Sequence, residues 1–273
     1  MRSYTKTIYV SILMALAFSG LRAQHSNIRF EVISVDQGLS QSSVSAIMQD
    51  RIGFMWFGTQ DGLNKYDGIN FKIYQHDPLD SNSISLGAIS CIFEDRHGEI
   101  WIAFGETGLD RFDPQREVFR HYDRKLAAQV PSVFNSVKYI LEDGAGTLWF
   151  ATTHGLARLD RTSDSFTYFT VDSTSSKSNR IDVLFEDSHD VLWVGAVGEV
   201  YQFDRKIAAF KGVALRTEEG KVPDVEAITA IFEDSGDTGI QCGLAPYWEA
   251  CGNMTVNTER STCIVPALAM NSV

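Results

Sequence analysis

The residues best equipped for chemistry in this sequence recur at fixed intervals, and that regularity bears on what they can do. Asp50, Asp95, Asp143 and Asp187 each stand six positions before a tryptophan, namely Trp56, Trp101, Trp149 and Trp193. Two carboxylates can hydrolyse a glycosidic bond, one as acid and the other as base or nucleophile. These four, however, occupy one repeated place, an Asp before a short turn, where a carboxylate accepts hydrogen bonds from backbone amides. The sequence therefore assigns them to turn capping, and it assigns no residue a catalytic, cofactor-binding or metal-binding role and identifies no ligand-binding residue. The six histidines, His25, His76, His97, His121, His154 and His189, are scattered without metal spacing. Neither a Gly-x-Ser-x-Gly elbow nor a phosphate-cradling loop is present. Cys91 lies in the apolar run Ile89-Ser90-Cys91-Ile92-Phe93 and reads as a small core side chain. Cys242, Cys251 and Cys263 crowd the C-terminal stretch at spacings that match no zinc pattern.

The elements that position these residues repeat as well. An apolar strand, an acidic turn, a Trp-centred strand, a Gly-Leu strand and an aromatic strand recur four times. The first copy runs Ile47-Met48-Gln49-Asp50, Phe54-Met55-Trp56-Phe57, Gly62-Leu63-Asn64-Lys65-Tyr66 and Phe71-Lys72-Ile73-Tyr74. Successive tryptophans are 45, 48 and 44 positions apart. Four short strands in a unit of that length are the mark of a propeller blade. The fold class expected is all-β, an incomplete β-propeller of four four-stranded blades plus the start of a fifth. The blades fall at about 44–77, 89–123, 137–170 and 181–210, with a partial one at 228–237, inside a repeat region of 27–237. The tryptophan is expected to fill the contact between successive blades, and Gly62, Gly108 and Gly155 to supply positive φ or close approach before the third strand. In the fourth copy Ala196-Val197-Gly198-Glu199 replaces the Gly-Leu pair, which makes its third strand less secure.

The runs Gly38-Leu39-Ser40-Gln41, Gln49-Asp50-Arg51-Ile52-Gly53-Phe54-Met55-Trp56-Phe57-Gly58-Thr59 and Asp61-Gly62-Leu63-Asn64-Lys65-Tyr66-Asp67-Gly68 resemble the two-component regulator propeller family. In that family such propellers are the extracytoplasmic sensors of hybrid histidine kinases, many of them tied to polysaccharide breakdown products. The resemblance implies a periplasmic sensor of a small molecule or oligosaccharide. It implies no catalytic module in this chain, and membrane attachment only through further C-terminal modules.

Composition agrees with an exported globular protein. Of the 273 residues 44% are hydrophobic and 22% charged, enough apolar material for a core. Arg2 and Lys6, an apolar run from Ile8 to Phe18 and a small residue at Ala23 form the three-part pattern of a signal peptide over 1–23, with cleavage near Ala23. Removing Arg2, Lys6 and Arg22 with that leader leaves 21 basic against 35 acidic side chains, a net of −14. Such a charge repels nucleic acid and anionic membrane surfaces.

Both ends of the repeat raise the question of closure. Phe30-Glu31-Val32-Ile33 resembles a fourth strand and is placed to close the last blade from the N-terminus. At the far end Ile228 to Asp234 opens a fifth unit, yet no Trp follows six positions after Asp234. Back-translation with the frame shifted by two nucleotides allows a Val-Trp strand and then Leu-Gly-Gly-Leu-Trp-Lys-Tyr-Asp, with Leu-Gly forced at Trp248 and Asp forced at Thr255. We therefore expect a frame change between about Ser235 and Gln241, with 238–273 an out-of-frame, poorly ordered tail. Seven blades need roughly 315 residues. Two other readings follow, a non-functional truncated remnant that self-associates through open edges, or a glycan-active propeller enzyme. Sequencing the coding DNA past codon 235 checks the frame: further Trp and Gly-Leu strands are expected in the alternate frame, and their absence there overturns the idea.

Overall fold

The computed structural model describes residues 32–105, 107–122, 136–171, 179–217, 227–233, 239–245, 252–257 and 262–265. Contacts divide the chain between Ile33 and Ser34, and every described strand belongs to the second unit, Ser34–Val273. The leader expected at 1–23, and Phe30 and Glu31 of the expected closing strand, lie outside the described residues; Val32 and Ile33 carry no strand.

The second unit is all-β. Blade one comprises β1 (Ala46–Gln49), β2 (Met55–Thr59), β3 (Gly62–Tyr66) and β4 (Phe71–Tyr74). Blade two comprises β5 (Ile89–Glu94), β6 (Ile100–Phe104), β7 (Leu109–Asp113) and β8 (Val118–Tyr122). Blade three is β9 (Val137–Glu142), β10 (Leu148–Thr152), β11 (Gly155–Asp160) and β12 (Ser165–Phe169). Blade four is β13 (Ile181–Glu186), β14 (Leu192–Ala196), β15 (Glu199–Asp204) and β16 (Ala209–Thr217). Within each blade the strands follow chain order and pair antiparallel. The first strands of successive blades adjoin one another, β1 with β5, β5 with β9, β9 with β13, and β13 with β17 (Ala227–Glu233).

Each blade turns its second strand around a buried aspartate. Asp50 Oδ1 accepts from the amides of Ile52, Gly53 and Phe54 at 3.1, 2.8 and 2.9 Å. Its Oδ2 accepts the Trp56 indole N–H at 2.8 Å. The same indole bond joins Trp101 to Asp95 and Trp149 to Asp143 at 2.8 Å, and Trp193 to Asp187 at 2.7 Å. The six-residue spacing is thus the length of turn that brings an indole back onto its own capping carboxylate. Charge-assisted bonds of this kind let a carboxylate be buried.

The same tryptophans fill the contacts between blades, as their apolar setting predicts. Trp56 packs with Ile84, Ile89, Ile100 and Phe112 of blade two and its linker. Trp101 packs with Val137, Leu148 and Phe150 of blade three, and Trp149 with Ile181, Leu192 and Phe203 of blade four. Each meets a phenylalanine of the next blade edge-on, at 5.9, 5.5 and 5.4 Å between centroids. A lone sheet could not cover this apolar surface, so stacking supplies the core.

A polar clasp runs along the turn face beside that core. The residue after each turn aspartate donates its amide to the glutamate that ends the next blade's first strand: Arg51 to Glu94 (2.7 Å), Arg96 to Glu142 (2.7 Å), Gly144 to Glu186 (2.5 Å) and Ser188 to Glu233 (2.9 Å). The Arg51 and Arg96 side chains add ion pairs to the same glutamates at 2.7 and 3.0 Å. At two junctions an arginine from the turn before the fourth strand reaches back across the clasp. Arg161 lies 2.7 Å from Asp95 Oδ2 and 3.5 Å from both Glu142 and Glu99. Arg205 lies 3.4 Å from Asp143 and 2.5 Å from Glu186.

One expectation changes. The third strand of blade four forms in full register, Leu192↔Phe203 through Ala196↔Glu199, with Glu199 where the other blades place the glycine and Gly198, φ 67°, in the two-residue turn before it. The described residues of the stretch 238–273 are β18 (Gly239–Ala245), β19 (Gly252–Asn257) and β20 (Thr262–Val265). β17 pairs with β18, β18 with β19 and β19 with β20, all antiparallel, while β20 runs parallel to residues 214–217 of β16. An open strand edge such as that of β17 offers unpaired amides and carbonyls that a following segment can satisfy with its backbone alone. That pairing does not need the Trp and Gly-Leu positions.

Gly155 has φ 137°, and a Cβ there would meet Phe169 O at 2.4 Å, whereas at Gly144 the nearest atom lies at an ordinary 3.5 Å. Gly155→Ala is expected to destabilise by about 2 kcal/mol and Gly144→Ala by less than about 0.5 kcal/mol, read from urea unfolding. Burial opposes ionisation of Asp95, but the Trp101 indole and the Arg161 guanidinium together hold its carboxyl below the usual range. A carboxyl lowered by folding stabilises at neutral pH, and that contribution is lost as pH falls through its folded value. Arg161→Gln should therefore be less stable than the parent at pH 7, with the difference shrinking in urea melts below about pH 4.

Candidate functional site

A cleft of about 390 Å³ opens on the turn face between blades one and two. Its polar lining includes Asp50, Arg51, Lys65, Glu94, Glu99 and His97. Asp50 is buried, and its two oxygens hold the turn amides and the Trp56 indole as described. Glu94 is paired with Arg51, and Glu99 faces Arg111 at 3.4 Å. Lys65 Nζ lies over the Phe54 ring at 3.9 Å and near the Trp56 ring at 5.3 Å. The floor is a carboxylate held from below, with mixed charge around the rim. This arrangement suits polar or cationic groups better than an extended apolar ligand.

On the opposite face a serine, a histidine and an aspartate come together. Ser85 donates its amide to Asp110 Oδ2 at 2.8 Å and its hydroxyl to Oδ1 at 2.7 Å. His121 Nδ1 lies 2.8 Å from the same Oδ1 and 3.0 Å from Ser85 Oγ, while Nε2 faces Ser81 O at 3.1 Å. In a hydrolytic triad the carboxylate holds one ring nitrogen and the other faces the nucleophile. Here a single nitrogen meets both partners, and the serine proton is directed to the carboxylate, so the geometry is that of a clasp. Blade one builds the same clasp without titratable groups: the Ser40 amide donates to Asn64 Oδ1 at 2.8 Å, and Asn64 Nδ2 donates to Ser40 Oγ at 2.9 Å. Leu39-Ser40 and Ile84-Ser85 are therefore equivalent anchors that pin the incoming linker to the third strand.

The turn aspartates stay where the sequence puts them, each in its own blade. The remaining described histidines lie apart: His76 Nδ1 meets Ile84 O at 2.9 Å, His97 lines the cleft, His154 meets Thr153 Oγ1 at 2.9 Å, and His189 meets Ser188 Oγ at 3.3 Å. His25 lies outside the described residues. Among the described residues no three acidic, histidine or cysteine side chains are grouped to hold a metal ion. Cys91 packs against the core of blades two and three, and burial raises its thiol to about 11, away from thiolate chemistry. Sequence reasoning missed the indole bond, the Glu clasp and the Ser85–Asp110–His121 cluster. The recurring Glu-Asp pairs at 94–95, 142–143 and 186–187 signal the clasp. Asp110, a charged residue beside a Gly-Leu pair, signals the cluster.

The two component regulator propeller model matches residues 38–61, the stretch from the first linker through the Asp50 turn and Trp56 to Asp61. Histidine kinase P4 of Formosa agariphila is 51% identical over 78 residues, covering 29% of this chain and 6% of the kinase. The extracellular domain of a protein assigned as a hybrid two component system in B. thetaiotaomicron superposes with a TM-score of 0.69 at 24% identity, over 85% of this chain and 31% of that one. Virginiamycin B lyase of Staphylococcus aureus superposes with a TM-score of 0.63 at 15% identity, over 86% of this chain and 73% of the lyase. The two solved structures establish a shared fold alone, and the chain spans a small part of its curated relative. Residues 38–61 thus match a two component regulator propeller repeat, and the other three blades reproduce its Asp and Trp positions.

Proposed function

We propose that this chain is the ligand-sensing part of a two-component regulator, acting outside the cytoplasm on a small molecule or oligosaccharide. The observation that carries the proposal is the 51% identity over 78 residues to a protein named histidine kinase. Supporting it are the leader-like pattern over 1–23 and the fold likeness to an extracellular domain. Among the described residues no helix is long and apolar enough to cross a membrane. A propeller suits sensing because its turns present side chains from several blades on one rigid face, so binding can bias the packing of neighbouring blades. Asp50 and Glu94, two acids that line the cleft, are committed to the turn and to Arg51, which favours binding over hydrolysis.

The test is expression with the native N-terminus in a Gram-negative host, followed by calorimetric titration of the purified protein with oligosaccharides and small metabolites. The expected results are a mature N-terminus at Gln24 in the periplasmic fraction and saturable binding without turnover. Cytoplasmic retention, or turnover of any glycan, overturns the proposal. A self-associated product that binds nothing favours the remnant reading in its place.

A further inference from the structure

The repeat allows the blade junctions to be compared atom by atom, and one of them lacks a side chain that two others have. Asp113-Pro114-Gln115, Asp160-Arg161-Thr162 and Asp204-Arg205-Lys206 are equivalent turns between the third and fourth strands. Their first residues, Asp113, Asp160 and Asp204, cap the turns alike, each accepting a backbone amide at 2.8 or 2.9 Å. The next residue is an arginine in blades three and four, and both arginines occupy one kind of place. Arg161 reaches the turn aspartate of the preceding blade, Asp95, and the clasp glutamate of its own blade, Glu142. Arg205 reaches Asp143 and Glu186, the same two positions. Blade two has Pro114 there, which has no side-chain donor.

The corresponding carboxylates at this junction are Asp50 and Glu94, and both line the 390 Å³ cleft, with Pro114 in its wall. The cleft therefore lies where the missing guanidinium belongs. Asp50 is only 9% exposed and receives the Trp56 indole on Oδ2, as Asp95 Oδ2 receives Trp101. At Asp95 the same oxygen also takes Arg161 Nη2 at 2.7 Å. The basic neighbours do not exclude another cation: Arg51 and Lys65 are equivalent to Arg96 and Arg111, and the next junction holds Arg161 beside both of those. Where Arg161 meets Glu99, this junction has the Phe54 ring, which carries Lys65 Nζ at 3.9 Å, so the seat for a guanidinium here is Asp50 and Glu94 alone.

We propose that the cleft between blades one and two binds a small guanidino compound, its guanidinium seated between Asp50 and Glu94 as Arg161 is seated between Asp95 and Glu142. A planar fork of donors matches a carboxylate better than an ammonium does. The inference rests on the internal repeat and holds whether or not the propeller signals to a kinase.

Calorimetric or NMR titration of the full chain with methylguanidinium chloride tests it. The expected result is saturable one-to-one binding, with methylammonium at least about tenfold weaker. Pro114→Arg supplies the missing side chain and is expected to lose the binding, while Pro114→Ala keeps it within about threefold. Arg161→Ala opens the same place at the next junction and should raise the stoichiometry from one to two, which keeps the test decisive if Pro114→Arg does not fold. Absence of saturable binding, equal binding of methylammonium, unaltered binding in a folded Pro114→Arg protein, or an unaltered stoichiometry in Arg161→Ala overturns the proposal.

Discussion

Four carboxylates, Asp50, Asp95, Asp143 and Asp187, lie at or below 9% exposure, each tied to an indole N–H within its own blade. A carboxylate deprived of water costs several kcal/mol unless its lone pairs are met by donors. The backbone amides of the turn and the indole meet that demand together, and the constraint spreads outward from there. It fixes the length of the turn and the position of Trp on the second strand. It also fixes the tilt of each indole towards the next blade. A shorter or longer turn would remove the indole from the carboxylate and the aromatic surface from the neighbouring core in one step.

Stacking of blades then divides between a dry layer and a wet one. The dry layer is the aromatic and aliphatic surface around Trp56, Trp101 and Trp149, and full burial of side chains this large contributes about 2–3 kcal/mol each. The wet layer is the Glu clasp and its arginines. Pairs as exposed as Arg51 with Glu94 add on the order of 0.2–1 kcal/mol each, so their importance is directional, setting the register of one blade's turn against the next. Arg161 is different because its partner Asp95 is buried, and removing one member of such a pair leaves a charge without compensation. The ion pairs therefore specify how blades meet, and the aromatic contacts supply most of the energy.

A fold of this kind hosts sensors and lyases alike, so the blades by themselves say little about activity. The informative places are departures from the repeat. Asp110 and His121 depart from Asn64 and Ile73, and the result is a titratable version of a clasp that is neutral in blade one. Pro114 departs from Arg161 and Arg205, and the result is a cleft beside a buried carboxylate. The side-chain pattern also breaks after β17, yet the strands continue, because backbone pairing at an open edge is indifferent to which side chains it carries.

The local chain alone determines the blades. The Asp-to-Trp interval, the Gly-Leu pairs and the aromatic fourth strands are short-range patterns, and alternation with a period of two is enough to set strands and their turns. The capping role of the aspartates was legible for the same reason, since an Asp reaches amides only two to four residues away. What the sequence could not reveal depends on atoms roughly 45 or 65 positions apart, such as Arg51 with Glu94 or Arg161 with Asp95. Nothing in Pro114 marks it as unusual until the blades are stacked and the place of its missing arginine is seen.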